Sequence, residues 1–195
     1  MTFDEVEGAY FRLKKGIPSI WSTFRVCSKD DNSGDEPIYL VESPIPCYDF
    51  DRIKLHFFRS GKSSADSLYF SQREEILYFI EFKNSRFHNF FESIPKKAYD
   101  SLCVHQCVCD QESIPLTHNV FMVVMSDEKN QMSNPTSIMM RNSGYFSSTS
   151  LMDELSNVLR NGFDAFSKGS AFEGCFLDFA VVLSSRFDDY IEHIR

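Results

Sequence analysis

The sequence predicts an α/β fold in which a central mixed sheet is covered by helices on both faces. Three observations carry this. First, residues 66–71 and 76–83 are rich in Leu, Ile, Tyr and Phe and flank the polar run Gln72-Arg73-Glu74-Glu75, which reads as two antiparallel strands joined by a four-residue loop. Second, both faces of that hairpin are largely apolar. One carries Leu68, Phe70, Leu77 and Phe79, the other Tyr69, Ile76, Tyr78, Ile80 and Phe82, so the hairpin belongs inside a sheet buried on two sides. Third, apolar positions at Phe3, Val6, Tyr10 and Leu13 mark an amphipathic helix, while Asn119 to Met125 is a β-type run short enough for a central strand.

The composition agrees with a packed core. The chain has 195 residues, no composition shift divides it, and residues 1–195 therefore read as one domain. Hydrophobic residues make up 43% and include 20 phenylalanines, which excludes a disordered chain. No apolar run is long enough to span a bilayer, and the acidic start M-T-F-D-E-V-E-G is unlike a signal peptide, so a cytoplasmic protein with no membrane partner is expected. The six cysteines are unevenly spaced and are expected as free buried thiols rather than a disulfide framework. A net charge of −8 counts against tight binding to long nucleic acid unless a local basic groove provides it.

Taken in order, Phe3 to Lys15 forms the first helix, with Asp4, Glu5 and Glu7 early, Lys14 and Lys15 late, and Gly16 and Pro18 to stop it. Ile20 to Cys27 reads as a short strand and Ser28 to Pro37 as a loop. The acids Asp30, Asp31 and Asp35 in that loop lack the glycine and terminal glutamate of an EF-hand and are expected in solvent. Ser43-Pro44-Ile45-Pro46 is excluded from helix interior and central strand, and Arg52 to Arg59 suits helix or strand equally. Ser60-Gly61-Lys62-Ser63-Ser64 contains G-K-S, but the upstream glycine of a phosphate loop is missing, so it reads as the turn that delivers Asp66.

After the hairpin, a polar and aromatic loop leads to a helix with Pro95 in its first turn, continued by Lys96, Lys97, Ala98, Tyr99, Leu102 and Cys103. Cys103, Cys107 and Cys109 lie near His105, yet a zinc site needs a second cluster and Cys27, Cys47 and Cys175 stand as singletons, so core cysteines are expected. Gln131 to Ser150 is polar and rich in turn signals, a mobile flap or surface insertion. A helix over Asp153 to Arg160, capped by Ser150 and ended by Asn161-Gly162, a strand over Phe176 to Leu183 and a closing helix over Ser185 to Ile194 complete the chain.

The hairpin register follows from the loop. If Ser71 faces Ile76, then Phe70 opposes Leu77, Leu68 opposes Phe79, and Asp66 opposes Glu81, with Lys83 one step further on the same face. Two opposed carboxylates sit roughly 4.5–5.5 Å apart at Cβ and repel unless something positive lies between them. Lys83 can serve, and so can a metal ion. A second acid-x-Lys, Asp127-Glu128-Lys129, has no such partner acid.

Ala65-Asp66 followed by Glu81-x-Lys83 at the end of a hydrophobic strand resembles the PD-(D/E)XK nuclease superfamily, with Ala-Asp in place of Pro-Asp. The longer runs K-S-S-A-D-S-L-Y-F, L-Y-F-I-E-F-K-N and K-K-A-Y-D-S-L are similar to a group of uncharacterised bacterial and phage proteins within it, over roughly residues 45–125. The resemblance implies a restriction-endonuclease-like core and metal-dependent hydrolysis of phosphodiesters in DNA or RNA, with DNA the first partner to expect. It further implies that Asp66, Glu81 and the backbone carbonyl of Phe82 hold Mg²⁺ or Mn²⁺, and that Lys83 orients the attacking water or stabilises the phosphorane. By the same likeness the following helix lends Lys97 and Tyr99 as candidates and the first helix Glu5 or Glu7, against a solvated acidic first turn; Asp49 and Asp51 are candidate outer acids, against a plain surface turn. The competing expectation is a catalytically inactive domain of this fold that acts through a protein partner or a homodimer in a bacterial or phage system, with Lys83 and the acids forming a structural salt bridge.

Overall fold

A computed structural model of the chain describes residues 1–30, 36–110, 118–130, 148–176 and 178–195. Helix α1 (Phe3–Gly16) opens the fold. The Thr2 hydroxyl accepts from the Glu5 N–H and the Glu5 carboxylate accepts from the Thr2 N–H, a capping box that closes the first turn. A 3₁₀ turn at Pro18–Ile20 leads into β1 (Trp21–Thr23), which ends after three residues because Thr23 caps the short helix α2 (Phe24–Cys27). The strand expected over residues 20–27 is thus confined to 21–23, and the second half of that stretch is helical. β2 (Lys29–Asp30) and β3 (Ile38–Tyr39) form a separate two-stranded ribbon, and Asp31 and Asp35 lie outside the described residues.

β4 (Pro46–Asp49) corrects the exclusion of a strand at the Ser-Pro-Ile-Pro stretch: Pro46 is the first residue of an inner strand, where a missing N–H is tolerated. Asp49 then accepts from the Arg52 N–H and starts α3 (Phe50–Phe57), so the undecided segment is helical. There follow β5 (Ser67–Ser71), β6 (Ile76–Lys83), α4 (Ile94–Cys109), β7 (His118–Met125), α5 (Asp127–Asn130), α6 (Ser148–Ser167), β8 (Asp178–Leu183) and α7 (Phe187–Ile194). The expected flap over 131–150 lies outside the described residues up to Ser148, where α6 begins.

Helix α6 does not stop at Asn161-Gly162. A Cβ built on Gly162 would lie 3.2 Å from Pro95 Cγ, so glycine serves the close approach of α6 to α4 rather than a helix end.

The six strands of the main sheet lie in the order β1-β4-β5-β6-β7-β8. Pairing is antiparallel from β1 to β6 and parallel from β6 to β8, a mixed sheet. The hairpin has the expected register, Ser71 with Ile76, Phe70 with Leu77 and Leu68 with Phe79. Its apolar faces feed two separate cores. Leu68, Phe70, Leu77 and Phe79 pack with residues of α1, α3, α4 and α6 on one side; Tyr78, Ile80 and Phe82 pack with Phe24, Phe187 and Ile191 on the other. Phe79 is fully buried between the rings of Phe50, His105 and Phe176, a burial that contributes roughly 1.5–3 kcal/mol.

His105 is fully buried, with Nδ1 2.9 Å from the Tyr10 hydroxyl, and burial pushes its imidazole down to about 3. The folded state therefore refuses a proton that the unfolded chain accepts below about pH 6.5. Stability from this residue is complete above that pH and falls as pH drops, by up to about 1.4 kcal/mol per unit. Denaturant midpoints measured between pH 6.5 and 5 are expected to fall more steeply for the wild type than for His105→Gln. Parallel pH profiles would refute this.

Candidate active site

The carboxyl end of β6 delivers Glu81, Phe82 and Lys83, and because β5 runs antiparallel its start lies alongside and brings Asp66 to the same end. The Asp66 N–H donates to the Ile80 carbonyl at 3.0 Å, which extends the ladder one residue beyond β5. The Asp66 carboxylate then accepts from the Phe82 N–H at 2.6 Å, standing where a further backbone carbonyl of the ladder would be. N–H and C=O of one strand residue point to the same side, so the Phe82 carbonyl also projects toward the Asp66 side, past the last pair of the β5 ladder.

Glu81 has no solvent exposure. Its Oε1 is 2.5 Å from the Lys83 Nζ and 2.6 Å from the Lys97 Nζ, the latter reaching down from the first turn of α4. Its Oε2 is buried with no hydrogen-bond partner. Such an atom loses the hydration it had in the unfolded chain and receives nothing in exchange, a cost of roughly 1–3 kcal/mol or more for a charged group. Burial first, and then the Glu81 charge, push the Asp66 carboxyl well above the ordinary range; Lys97 and the Phe82 N–H pull the other way without prevailing. For Lys97, burial favours the neutral amine, but the charges of Glu81 and Asp66 outweigh it and hold the ammonium above its usual value.

Asp51, on α3, lies close enough to raise the Asp66 carboxyl and support the Lys97 charge, and it pairs with Lys54 at 2.6 Å and accepts from the Ser64 hydroxyl at 2.9 Å. It is an acid neighbouring the pair. A cleft of ≈ 490 Å³ opens here, with Lys29, Asp51, Asp66, Phe82 and Lys83 among its walls. A larger cleft of ≈ 690 Å³ along β8 holds the exposed Arg160–Asp178 pair and lies away from Glu81, Lys83 and Lys97.

Four expected residues are engaged by other partners. Glu5 is occupied by its capping box, and Glu7 accepts from Gln72 beside the hairpin loop, the opposite end of β6 from Glu81. Asp49 caps α3 and pairs with Arg52. Tyr99 packs its ring against Phe166 and Phe172, because α6 and the segment after it cover that face of α4. Lys96, one residue before Lys97, points away as helical spacing requires and pairs with Asp100 at 2.5 Å.

Sequence reasoning missed the residues that hold the turn before Asp66. Asp100 is nearly buried and gathers Lys62, Lys96, the Ser63 N–H and the Ser63 hydroxyl. The Ser101 hydroxyl accepts from the Ala65 N–H at 2.9 Å and donates to the Lys97 carbonyl at 2.8 Å, linking the residue before Asp66 to the turn of α4 that carries Lys97. The i, i+4 spacing of Lys96 and Asp100 was the only sequence signal. Replacing Ser101 by Ala strands the buried Ala65 N–H. We expect a loss of about 1–3 kcal/mol in urea unfolding; a change under about 0.5 kcal/mol would show that this bond does not hold the turn.

Among the described residues no three His, Cys, Asp or Glu side chains gather as a metal cage, and Cys103, Cys107 and Cys109 are free thiols on α4. No helix among them is long and apolar enough to cross a membrane. Fold and site together define a mixed α/β protein with an acid pair and two lysines at the carboxyl end of a central strand. Comparison with protein-family models, curated proteins and solved structures returns no match.

Proposed function

We propose that this chain is a metal-dependent nuclease with a restriction-endonuclease-like core, cleaving phosphodiester bonds in DNA or RNA. The observation that carries this reading is the unpartnered, buried Glu81 Oε2, at the end of the strand where the Asp66 carboxylate accepts from the Phe82 N–H and the Phe82 carbonyl projects toward the same side. Those oxygens are the hard donors that Mg²⁺ or Mn²⁺ takes, and they fit such an ion as two carboxylates and one carbonyl, the remaining positions being left to water and substrate. A divalent ion held there would supply Lewis-acid stabilisation of the phosphorane and a more acidic water.

The chain's own residues have separable tasks. Lys83 borders the cleft, where its ammonium can meet a phosphate oxygen or orient the attacking water. Lys97 is kept charged by Glu81 and Asp66 and adds a second cation at the same carboxylate oxygen. Ser101 and Asp100 position the turn that delivers Asp66. The cleft walls set Lys29 and Lys83 against Asp30, Asp51 and Asp66, so within a chain of net charge −8 the attraction of a phosphate to this site would rest on the bound cation together with the two lysines.

One observation favours a second reading, an inactive domain of this fold that binds a protein partner or a second copy. Lys83 and Lys97 both bond to the same oxygen of Glu81, so the acid pair is already neutralised by protein charges. Calorimetric titration of Mn²⁺ and Mg²⁺ into the wild type, Asp66→Ala and Glu81→Ala separates the two. Binding that either substitution abolishes, followed by metal-dependent cleavage of DNA or RNA, supports the nuclease. Absence of binding to the folded wild type leaves the second reading.

A further inference from the structure

Cys27 and Cys47, far apart in sequence from the thiols of α4, meet across α2 and β4 with their sulfurs 3.7 Å apart. Cys27 ends α2, is partly exposed, and lines the cleft beside Asp66 and Lys83; Cys47 is 1% exposed within the second core. The contact is secured by backbone on both sides, since the Phe24 N–H donates to the Ile45 carbonyl and Ser22 pairs with Cys47 in the sheet. Two thiols alone make half of a zinc site, and among the described residues no third His, Cys, Asp or Glu joins them.

We infer that Cys27 and Cys47 form a site of reversible oxidation, a dithiol that a small hydroperoxide converts to an intrachain disulfide. Closing from 3.7 Å to the ~2.05 Å of an S–S bond brings the two sulfurs together by less than about 2 Å. Burial pushes the Cys47 thiol well up, so the cleft-facing Cys27 is the attacking group and Cys47 the resolving one. The Cys27 sulfur attacks the peroxide O–O bond and becomes a sulfenic acid, releasing one water from hydrogen peroxide. The Cys47 sulfur then attacks the Cys27 sulfur, the S–O bond breaks, and the departing hydroxide takes the thiol proton as a second water. Two thiols have then given two electrons to one peroxide. The product ties the α2 wall of the cleft to the strand whose Tyr48 and Asp49 pair with Leu68 and Ser67, next to Asp66.

The test is to treat fully reduced protein with hydrogen peroxide, block remaining thiols with iodoacetamide, and map peptides without reduction. The expected result is one linked peptide pair joining residues 27 and 47, reversed by dithiothreitol, with a Tm rise of roughly 5–10 °C in the oxidised form. In Cys47→Ser, dimedone labelling of Cys27 is expected to rise several-fold because the sulfenic acid has no resolving partner. Should that variant fail to fold, the wild-type map decides by itself. A disulfide that maps to Cys103, Cys107, Cys109 or Cys175, or Cys27 carried to sulfinic acid with Cys47 still free, would overturn the inference. No outcome depends on metal binding or nuclease activity.

Discussion

Glu81→Gln is expected to abolish detectable Mn²⁺ and Mg²⁺ binding and with it any metal-dependent cleavage. It is also expected to lower stability by about 3 kcal/mol, toward the lower end of the range for breaking a buried ion pair. The reason lies in the placement of three charges. Glu81 is inaccessible to solvent, and its Oε1 is an acceptor that Lys83 and Lys97 share, at 2.5 and 2.6 Å. The amide keeps the shape and one acceptor oxygen but removes the negative charge, so two ammonium groups face each other with Asp66 and the more distant influence of Asp51 as the remaining negative charge at Lys97. Both lysines retain about one fifth of their exposure, 22% and 23%, and can turn partly toward water, which places the cost low in the range. Urea unfolding and calorimetric titration measure the two effects. A loss below about 1 kcal/mol would show that the lysines do not depend on Glu81.

Asp66→Asn is expected to have the opposite effect on the fold and the same effect on the metal. Without metal, the Asp66 carboxylate is disfavoured by burial and by Glu81, so its carboxyl holds its proton to higher pH in the folded than in the unfolded state. Below the unfolded value of about 3.9 the group is neutral in both states. As pH rises above that value the unfolded chain releases the proton first, and stability falls until the folded carboxyl has ionised too. An asparagine escapes this loss while its side-chain oxygen still accepts from the Phe82 N–H. Metal-free Asp66→Asn should therefore match or exceed the wild type in Tm near neutral pH, with the difference vanishing toward pH 4. Added Mn²⁺ should raise the wild-type Tm and leave the variant unmoved. If Asp66→Asn proves the less stable protein at pH 8 in EDTA, the carboxylate is a stabilising ion-pair partner and the metal reading loses its electrostatic basis.

The two substitutions together separate the readings, because a purely structural salt bridge makes Glu81 and Asp66 alike in metal response: neither wild type nor variant shifts its Tm with Mn²⁺. A metal centre requires the wild type to shift and both variants not to.

Much of this site was legible in the sequence, because strand geometry is local. A period of two and a four-residue loop decide which hairpin residues oppose each other, and a one-residue slip would have moved every side chain to the wrong face. The same rule separated Leu68, Phe70, Leu77 and Phe79 from Tyr78, Ile80 and Phe82, which do feed opposite cores. Helical spacing likewise required Lys96 and Lys97 to diverge, and they do.

What sequence patterns could not supply were relations between segments. Arg52 to Arg59 fits two periodicities, and the decision came from Asp49 capping Phe50–Phe57. Gly162 carries the mark of a helix end, but contact with Pro95 gives it another task, since tertiary packing outweighs a local preference of about 1 kcal/mol. Tyr99 faces α6 instead of the acid pair. Cys27 and Cys47 looked solitary because nothing in their spacing shows that α2 folds back over β4. By itself the sequence determined the hairpin, its register and the convergence of Asp66 with Glu81, which depend on backbone alternation alone. Only the tertiary structure decided that Lys83 and Lys97 share one oxygen of Glu81, that the other is left without a partner, and that Ser101 and Asp100 hold the approach to Asp66, because these rest on where α4 lies across the sheet.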